Sequence, residues 1–200
     1  MLKTRTDVDA LYPAHISEVS ARYRRALEAL GKRAFLIPSG SLKYTFQDDH
    51  TYPFVVNPHF KSWLPLTNAP DCFLLVGDGR PRLFYHQSED YWHLPPADPT
   101  GFWVDEFDIH PIQDAGDIHN LLGDTRELAF IGEETAFADS LGIKSINPDA
   151  ALAAIHFDRA YKTPYELGCM QLANIAAAQG HLAAEAAFRL GKSEFDIQAD

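Results

Sequence analysis

The stretch Phe46-Gln-Asp-Asp-His-Thr-Tyr-Pro-Phe-Val-Val-Asn-Pro-His-Phe-Lys-Ser-Trp-Leu-Pro-Leu66 sets the frame for the rest of the chain. Its three prolines exclude a helix interior or a central strand, because proline lacks the N–H that either ladder needs. Its five aromatic residues are too many for a solvated linker. A long irregular segment inside a compact domain is uncommon and is usually functional. The reading is a loop anchored by Phe46, Tyr52, Phe54, Phe60 and Trp63 that presents Asp48, Asp49, His50 and His59. The plainer alternative is an ordered surface loop that only packs.

Before this segment, residues 15–30 set Ile16, Val19, Tyr23, Ala26, Leu27 and Leu30 on one helical face, and Gly31 is placed to stop the helix. Ala34-Phe-Leu-Ile37 reads as a short buried strand. After the segment, residues 72–76 and 82–85 are two apolar runs, and Asp78-Gly79 between them suits the turn of a β-hairpin. Further strands are expected at 102–104, 107–109, 128–131 and 143–146. Helices are expected over 117–122, 135–141 and from Asn147-Pro148 to about Phe157. Such alternation predicts an α/β domain, a mixed β-sheet flanked by helices, over residues 1–158.

Residues 159–200 read as a second unit. Thr163-Pro-Tyr-Glu166 joins a capping Thr, a Pro at the first helical position and a Glu at the third. The helix it opens runs toward Leu190, a length of roughly 40 Å at 1.5 Å per residue. Ser193-Glu-Phe-Asp196 caps another helix, which the chain end interrupts within two turns, so the chain is expected to be cut from a longer one. The apolar positions Leu167, Met170, Ile175, Leu182, Phe188 and Phe195 of these helices call for a partner surface.

Composition narrows the function classes. An apolar fraction of 46% with three Trp, eight Tyr and thirteen Phe supplies a globular core. A net charge of −11 argues against nucleic acid and anionic membrane as partners, since both select basic patches. Cys72 and Cys169 lie in apolar runs and read as buried free thiols in a reducing cytoplasm. Neither a signal-peptide stretch nor a membrane-length apolar run is present in the sequence.

Nine histidines and twenty-eight acidic residues invite a search for metal ligands, yet no spacing typical of zinc or calcium sites occurs. Asp48-Asp49-His50 is the one tight cluster. On extended backbone its neighbouring side chains point to opposite faces, so no metal is expected there. Glu89-Asp-Tyr-Trp-His93 is a second polar and aromatic concentration, either a helical turn over the sheet edge or a pocket wall. No nucleophile-and-base pair and no Gly-rich phosphate loop is found, so no catalytic residue is assigned.

Several of these runs, taken in order, resemble one family. Phe46-Gln-Asp-Asp-His-x-Tyr-Pro-Phe-x-Val-Asn-Pro-His-Phe-Lys-x-Trp-Leu-Pro-Leu66, Asp90-Tyr-Trp-His93, Tyr161-Lys-Thr-x-Tyr-Glu-Leu-x-Cys-Met170 and Gly191-Lys-Ser-Glu-Phe-Asp-Ile197 are similar to the amino-terminal part of bacterial Xaa-Pro dipeptidases (prolidases). The related organophosphorus acid anhydrolases share the pattern. The resemblance implies a creatinase-like amino-terminal domain followed by the long helix that begins an α+β pita-bread catalytic domain. It implies a homodimeric, cytoplasmic metallo-dipeptidase that hydrolyses dipeptides ending in proline. Two divalent cations, manganese in the usual case, would activate a hydroxide there. The family's metal ligands belong to the catalytic domain beyond Asp200, so no cofactor is expected in this chain, which should be inactive alone.

For the dimer, the resemblance implies that Asp49 and Trp92 wall the partner subunit's substrate pocket. Asp49 would pair with the substrate amine and Trp92 would close an apolar side. Asp48, His50, Tyr91 and His93 are weaker candidates, His50 because it departs from the family's usual residue. A different class of function is a stand-alone, non-catalytic module of the same fold that dimerises or binds a ligand through residues 46–66.

Overall fold

The computed structural model describes residues 4–77, 79–89, 91 and 94–199. The chain divides into two compact units, residues 16–161 and residues 1–15 with 162–200.

The larger unit is built on a six-stranded mixed sheet: β1 (Ala34–Pro38), β2 (Phe73–Gly77), β3 (Arg82–His86), β4 (Asp108–Ile112), β5 (Leu128–Phe130) and β6 (Ser145–Ile146), in the order β4-β3-β2-β1-β5-β6. β1–β2 and β2–β3 are antiparallel, while β1–β5, β5–β6 and β3–β4 are parallel. The expected strand at 34–37 and the hairpin are both present, the hairpin pairing Phe73 with Phe84. Its turn residue Asp78 lies outside the described residues. β1 is buried along its whole length, as a strand with neighbours on both edges and layers on both faces must be.

The alternation of side chains divides β1 between two cores. Leu36 joins Phe73, Leu75, Phe84, Leu128 and Phe130 in one cluster, closed by Ile118 from a 3-10 turn (Ala115–Asn120) and by Ala138 from a helix at Thr135–Ser140. Phe35 faces the other way and meets Tyr23 edge-on at 5.8 Å. Tyr23 belongs to the long helix Tyr12–Leu30, which places Val19, Tyr23, Ala26 and Leu27 in the core as its periodicity predicts. Arg22 of this helix donates to the Tyr161 carbonyl at 3.0 Å, and Arg25 pairs with Asp158 at 2.8 Å near the end of the helix Asp149–Arg159.

Three expectations change. Residues 102–104 are not a strand: Val104–Glu106 is a 3-10 turn that follows Trp103, which is buried edge-on against Phe107 at 6.0 Å. Burial of that aromatic pair, not sheet pairing, explains the apolar run. Residues 117–122 are helical only as part of the 3-10 turn at Ala115–Asn120. Cys72 is buried, but Cys169 is only half-buried.

In the smaller unit, a helix at Arg5–Asp9 starts on a reciprocal Thr4–Asp7 cap, and Thr163 and Glu166 cap the helix Pro164–Arg189 in the same way. The latter is 26 residues long and ends close to where the sequence places its stop. Its Gly168 is a packing requirement, because a Cβ there would sit 2.8 Å from a methyl of fully buried Val8. Buried His15 places Nδ1 2.9 Å from Thr163 Oγ1, and Tyr12 meets Tyr165 edge-on at 5.1 Å. The final helix, Glu194–Ala199, carries Phe195 in an exposed position. Among the described residues, no helix is long and apolar enough to cross a membrane.

Candidate functional site

Residues 46–66 are irregular, as their prolines require, apart from one turn of helix at Pro58–Lys61. Asn57 pins the segment's base. Its backbone N–H donates to Ser39 O at 2.8 Å, its Nδ2 donates to Ile131 O at 3.0 Å, and its Oδ1 accepts from His59 N at 2.9 Å. Phe60 and Trp63 are buried as expected, Trp63 edge-on to Tyr23 at 5.1 Å.

Phe46 and Tyr52 are not anchors. They are 90% and 58% exposed, and Phe54 is half-buried. Residues 43–52 fold back on themselves as a short arm. Tyr52 N donates to Lys43 O at 2.8 Å, Thr45 N to His50 O at 2.9 Å, and Tyr44 bridges Thr51. A turn this tight needs a left-handed residue, and Gln47 supplies it at φ 58°. Aromatic side chains on so short a ribbon have no second layer to enter, so they face outward.

At the arm's tip Asp48, Asp49 and His50 do come together, against the expectation from extended backbone. His50 Nδ1 lies 3.1 Å from a carboxylate oxygen of each aspartate. The turn curls the three side chains to one side, and Asp48 Oδ1 also accepts from Asp49 N at 2.8 Å. The bond from His50 foremost holds the Asp48 carboxyl below the usual range. All three are exposed, the Asp49 side chain 93%. A pair of divalent ions needs about six or more donors. This trio is the only convergent group of three such residues among the described ones, so they do not fit a two-ion centre. Tyr91 is 89% exposed. Asp90, Trp92 and His93 lie outside the described residues.

His59, expected on display, is 6% exposed. Its Nδ1 is 2.9 Å from Tyr23 Oη, and its Nε2 faces His156 Nε2 at 3.2 Å. Burial foremost, then the charges of Arg159 and His156, brings its pKa from 6.5 down to about 4. The unfolded chain therefore takes up this proton before the folded chain does. The His59 contribution to stability is complete above about pH 6.5 and is lost as pH falls toward about 4, a loss of about 3 kcal/mol. Urea unfolding across that window should show the decline, and His59→Gln should remove most of it. An unchanged slope in the variant would assign the decline to other groups.

Beside the arm's base lies a pocket of about 360 Å³. The irregular segment forms one wall, residues 131–134 after β5 another, and Asn147, Leu152 and His156 the third. Asn147, itself left-handed at φ 47°, holds Gly132 at both ends, accepting from its N–H at 2.9 Å and donating to its carbonyl at 2.8 Å. Reading the sequence missed these far walls. The available signal was their position just past the carboxyl end of a strand, where α/β sheets place ligands.

A family model described as "Xaa-Pro dipeptidase, N-terminal domain" matches residues 10–157. An Xaa-Pro dipeptidase of Pseudoalteromonas atlantica is 46% identical over 189 residues, covering 94% of this chain and 43% of that protein. One from Erwinia tasmaniensis is 44% identical with the same coverage. The chain thus spans less than half the length of the curated relatives it matches. Among solved structures, a histidine-to-alanine variant of Escherichia coli aminopeptidase P aligns with TM-score 0.56 and 16% identity over 90% of this chain and 48% of that one. The same enzyme with the inhibitor Pro-Leu aligns with TM-score 0.52 and 16% identity, over 82% and 44%. These structures share the fold: a mixed sheet flanked by helices, followed by a long helix.

Proposed function

The chain belongs to the Xaa-Pro dipeptidase family through its amino-terminal domain, and from that premise we propose that it is the non-catalytic portion of a homodimeric, cytoplasmic metallo-dipeptidase acting on dipeptides that end in proline. The observation that carries this is the match over 94% of the chain to relatives of which it covers only 43%. In this reading residues 1–158 are the amino-terminal domain, and 159–200 begin the catalytic domain. Two divalent cations, manganese by the family resemblance, would supply the activated hydroxide. Their ligands are not among the groups described above, so no step is assigned to this chain's carboxylates beyond binding.

The chain's own part is to line the partner subunit's pocket. The Asp49 carboxylate, held out at the tip of the arm, would pair with the substrate's free ammonium group. Trp92 would lay an apolar wall beside it, and Asp48 with His50 would fix the turn that presents Asp49. Exposure of Phe46, Tyr44 and Tyr52 along the arm supports a surface that a second copy covers.

Incubating the pure chain with manganese and a dipeptide ending in proline should give no turnover above the blank. Turnover by these 200 residues alone would overturn the assignment of the chemistry to other polypeptide.

A further inference from the structure

The pocket at the arm's base is not needed for the in-trans role, and its chemistry selects a ligand of its own. It opens just past the carboxyl ends of the parallel neighbours β1 and β5, through residues that follow each strand directly. The chain leaving β1 returns through β2 on one side, while the chain leaving β5 continues to β6 on the other. This is a topological switch point, the position at which open α/β sheets bind ligands. A volume of about 360 Å³ suits a small molecule.

The walls are apolar, formed chiefly by Tyr52, Phe54, Val56, Ile131 and Leu152. Two carboxylates (Glu133 and Glu134), one ammonium (Lys43) and the imidazoles of His59 and His156 enter the lining. Lys43 is taken by Glu133 at 2.6 Å. Glu134 is half-buried, caps no helix N–H although it stands at the N-cap of the helix Thr135–Ser140, and makes no side-chain hydrogen bond or ion pair among the described residues. Its Oε1 lies near Gly40: a Cβ built there would lie 3.8 Å from that oxygen and 3.5 Å from an edge carbon of the Phe54 ring. Lys43 also feels the charge of Glu134, yet two carboxylates against that one ammonium leave the lining a negative charge in excess beside apolar walls, a site for a cation with an apolar body.

We propose that this pocket binds a small organic ammonium ion, with Glu134 as its counter-ion and Phe54 and Leu152 against its apolar part. Because Lys43 and Tyr52 are shared between the pocket and the arm, such a ligand would touch the base of the element that carries Asp49.

The test uses the 200-residue chain and three probes on one phenylethyl frame at pH 7: 2-phenylethylammonium, its isostere 2-phenylethanol, and 3-phenylpropanoate. Amide shift mapping and titration should show the ammonium probe binding at least tenfold more tightly than the alcohol, with shifts at Ile131, Glu134 and Leu152. Glu134→Gln keeps the side chain's size and should bring the two probes within about twofold of each other. Equal binding of ammonium and alcohol, tighter binding of the carboxylate, or a preference that survives Glu134→Gln would overturn the proposal. So would shifts confined to Asp48 and Asp49, which would mean attraction to exposed acid only. The probes are read by binding alone, so failure here leaves the dipeptidase assignment standing, and the reverse also holds.

Discussion

Asp49→Ala in a full-length dimeric relative carrying this domain is expected to lower kcat/KM for a dipeptide ending in proline by about a hundredfold, while the thermal midpoint stays within about 1 °C. The size follows from truncating one partner of a desolvated charge pair, which costs about 2–5 kcal/mol, with each 1.4 kcal/mol a factor of ten. The unchanged stability follows from the site. The Asp49 side chain is 93% exposed, and a carboxylate oxygen of it lies 3.1 Å from Nδ1 of His50, which is exposed too. Exposed pairs of this kind contribute little to folding. Kinetics like those of the unmodified enzyme would remove Asp49 from the pocket. Trp92→Ala, read in the same assay, tests the apolar wall separately. Mixing Asp49→Ala subunits with subunits inactivated at the metal centre gives the sharper readout. A residue acting across the dimer should let such mixtures recover activity that neither parent has.

Trp63→Ala is expected to have the largest effect on folding, a loss of about 3–5 kcal/mol and a fall in thermal midpoint of roughly 10 °C or more. Trp63 is 1% exposed and rests edge-on against Tyr23, which itself rests on Phe35 of the central strand. Removing the indole empties the space between the irregular segment and the long helix, and Phe60 and Leu64 beside it are already fully buried. Phe46→Ser in the same segment should move the midpoint hardly at all, because the ring it removes is 90% exposed. Similar losses in the two variants would mean that the arm folds down onto the domain in solution.

The contrast between Trp63 and Phe46 also shows what residue types alone can and cannot report. Proline content correctly marks 46–66 as irregular, and the all-apolar run 34–37 correctly marks the strand at the sheet's centre. Which aromatic turns inward depends on where the ribbon reverses, and that is set by one left-handed residue, Gln47, which carries no compositional mark. For the same reason the tip triad converges where extended backbone would have separated it. The buried position of His59 rests on Tyr23 and His156, partners 36 and 97 residues away. Local pattern cannot carry such pairings. The pocket beside them is assembled from three distant stretches, so only its near wall is legible in the sequence.

The placement of β1 between β2 and β5 has a consequence for how the molecule is made. Its antiparallel neighbour is synthesised within about forty residues, but its parallel neighbour arrives only after roughly ninety, and pairings that span so much chain form slowly. A ribosome-bound chain that has released β2 but not β5 therefore holds Phe35, Leu36 and Ile37 along an open hydrogen-bonding edge. That interval is when the nascent polypeptide is most prone to pair with another copy, and when a chaperone has most to gain by holding it.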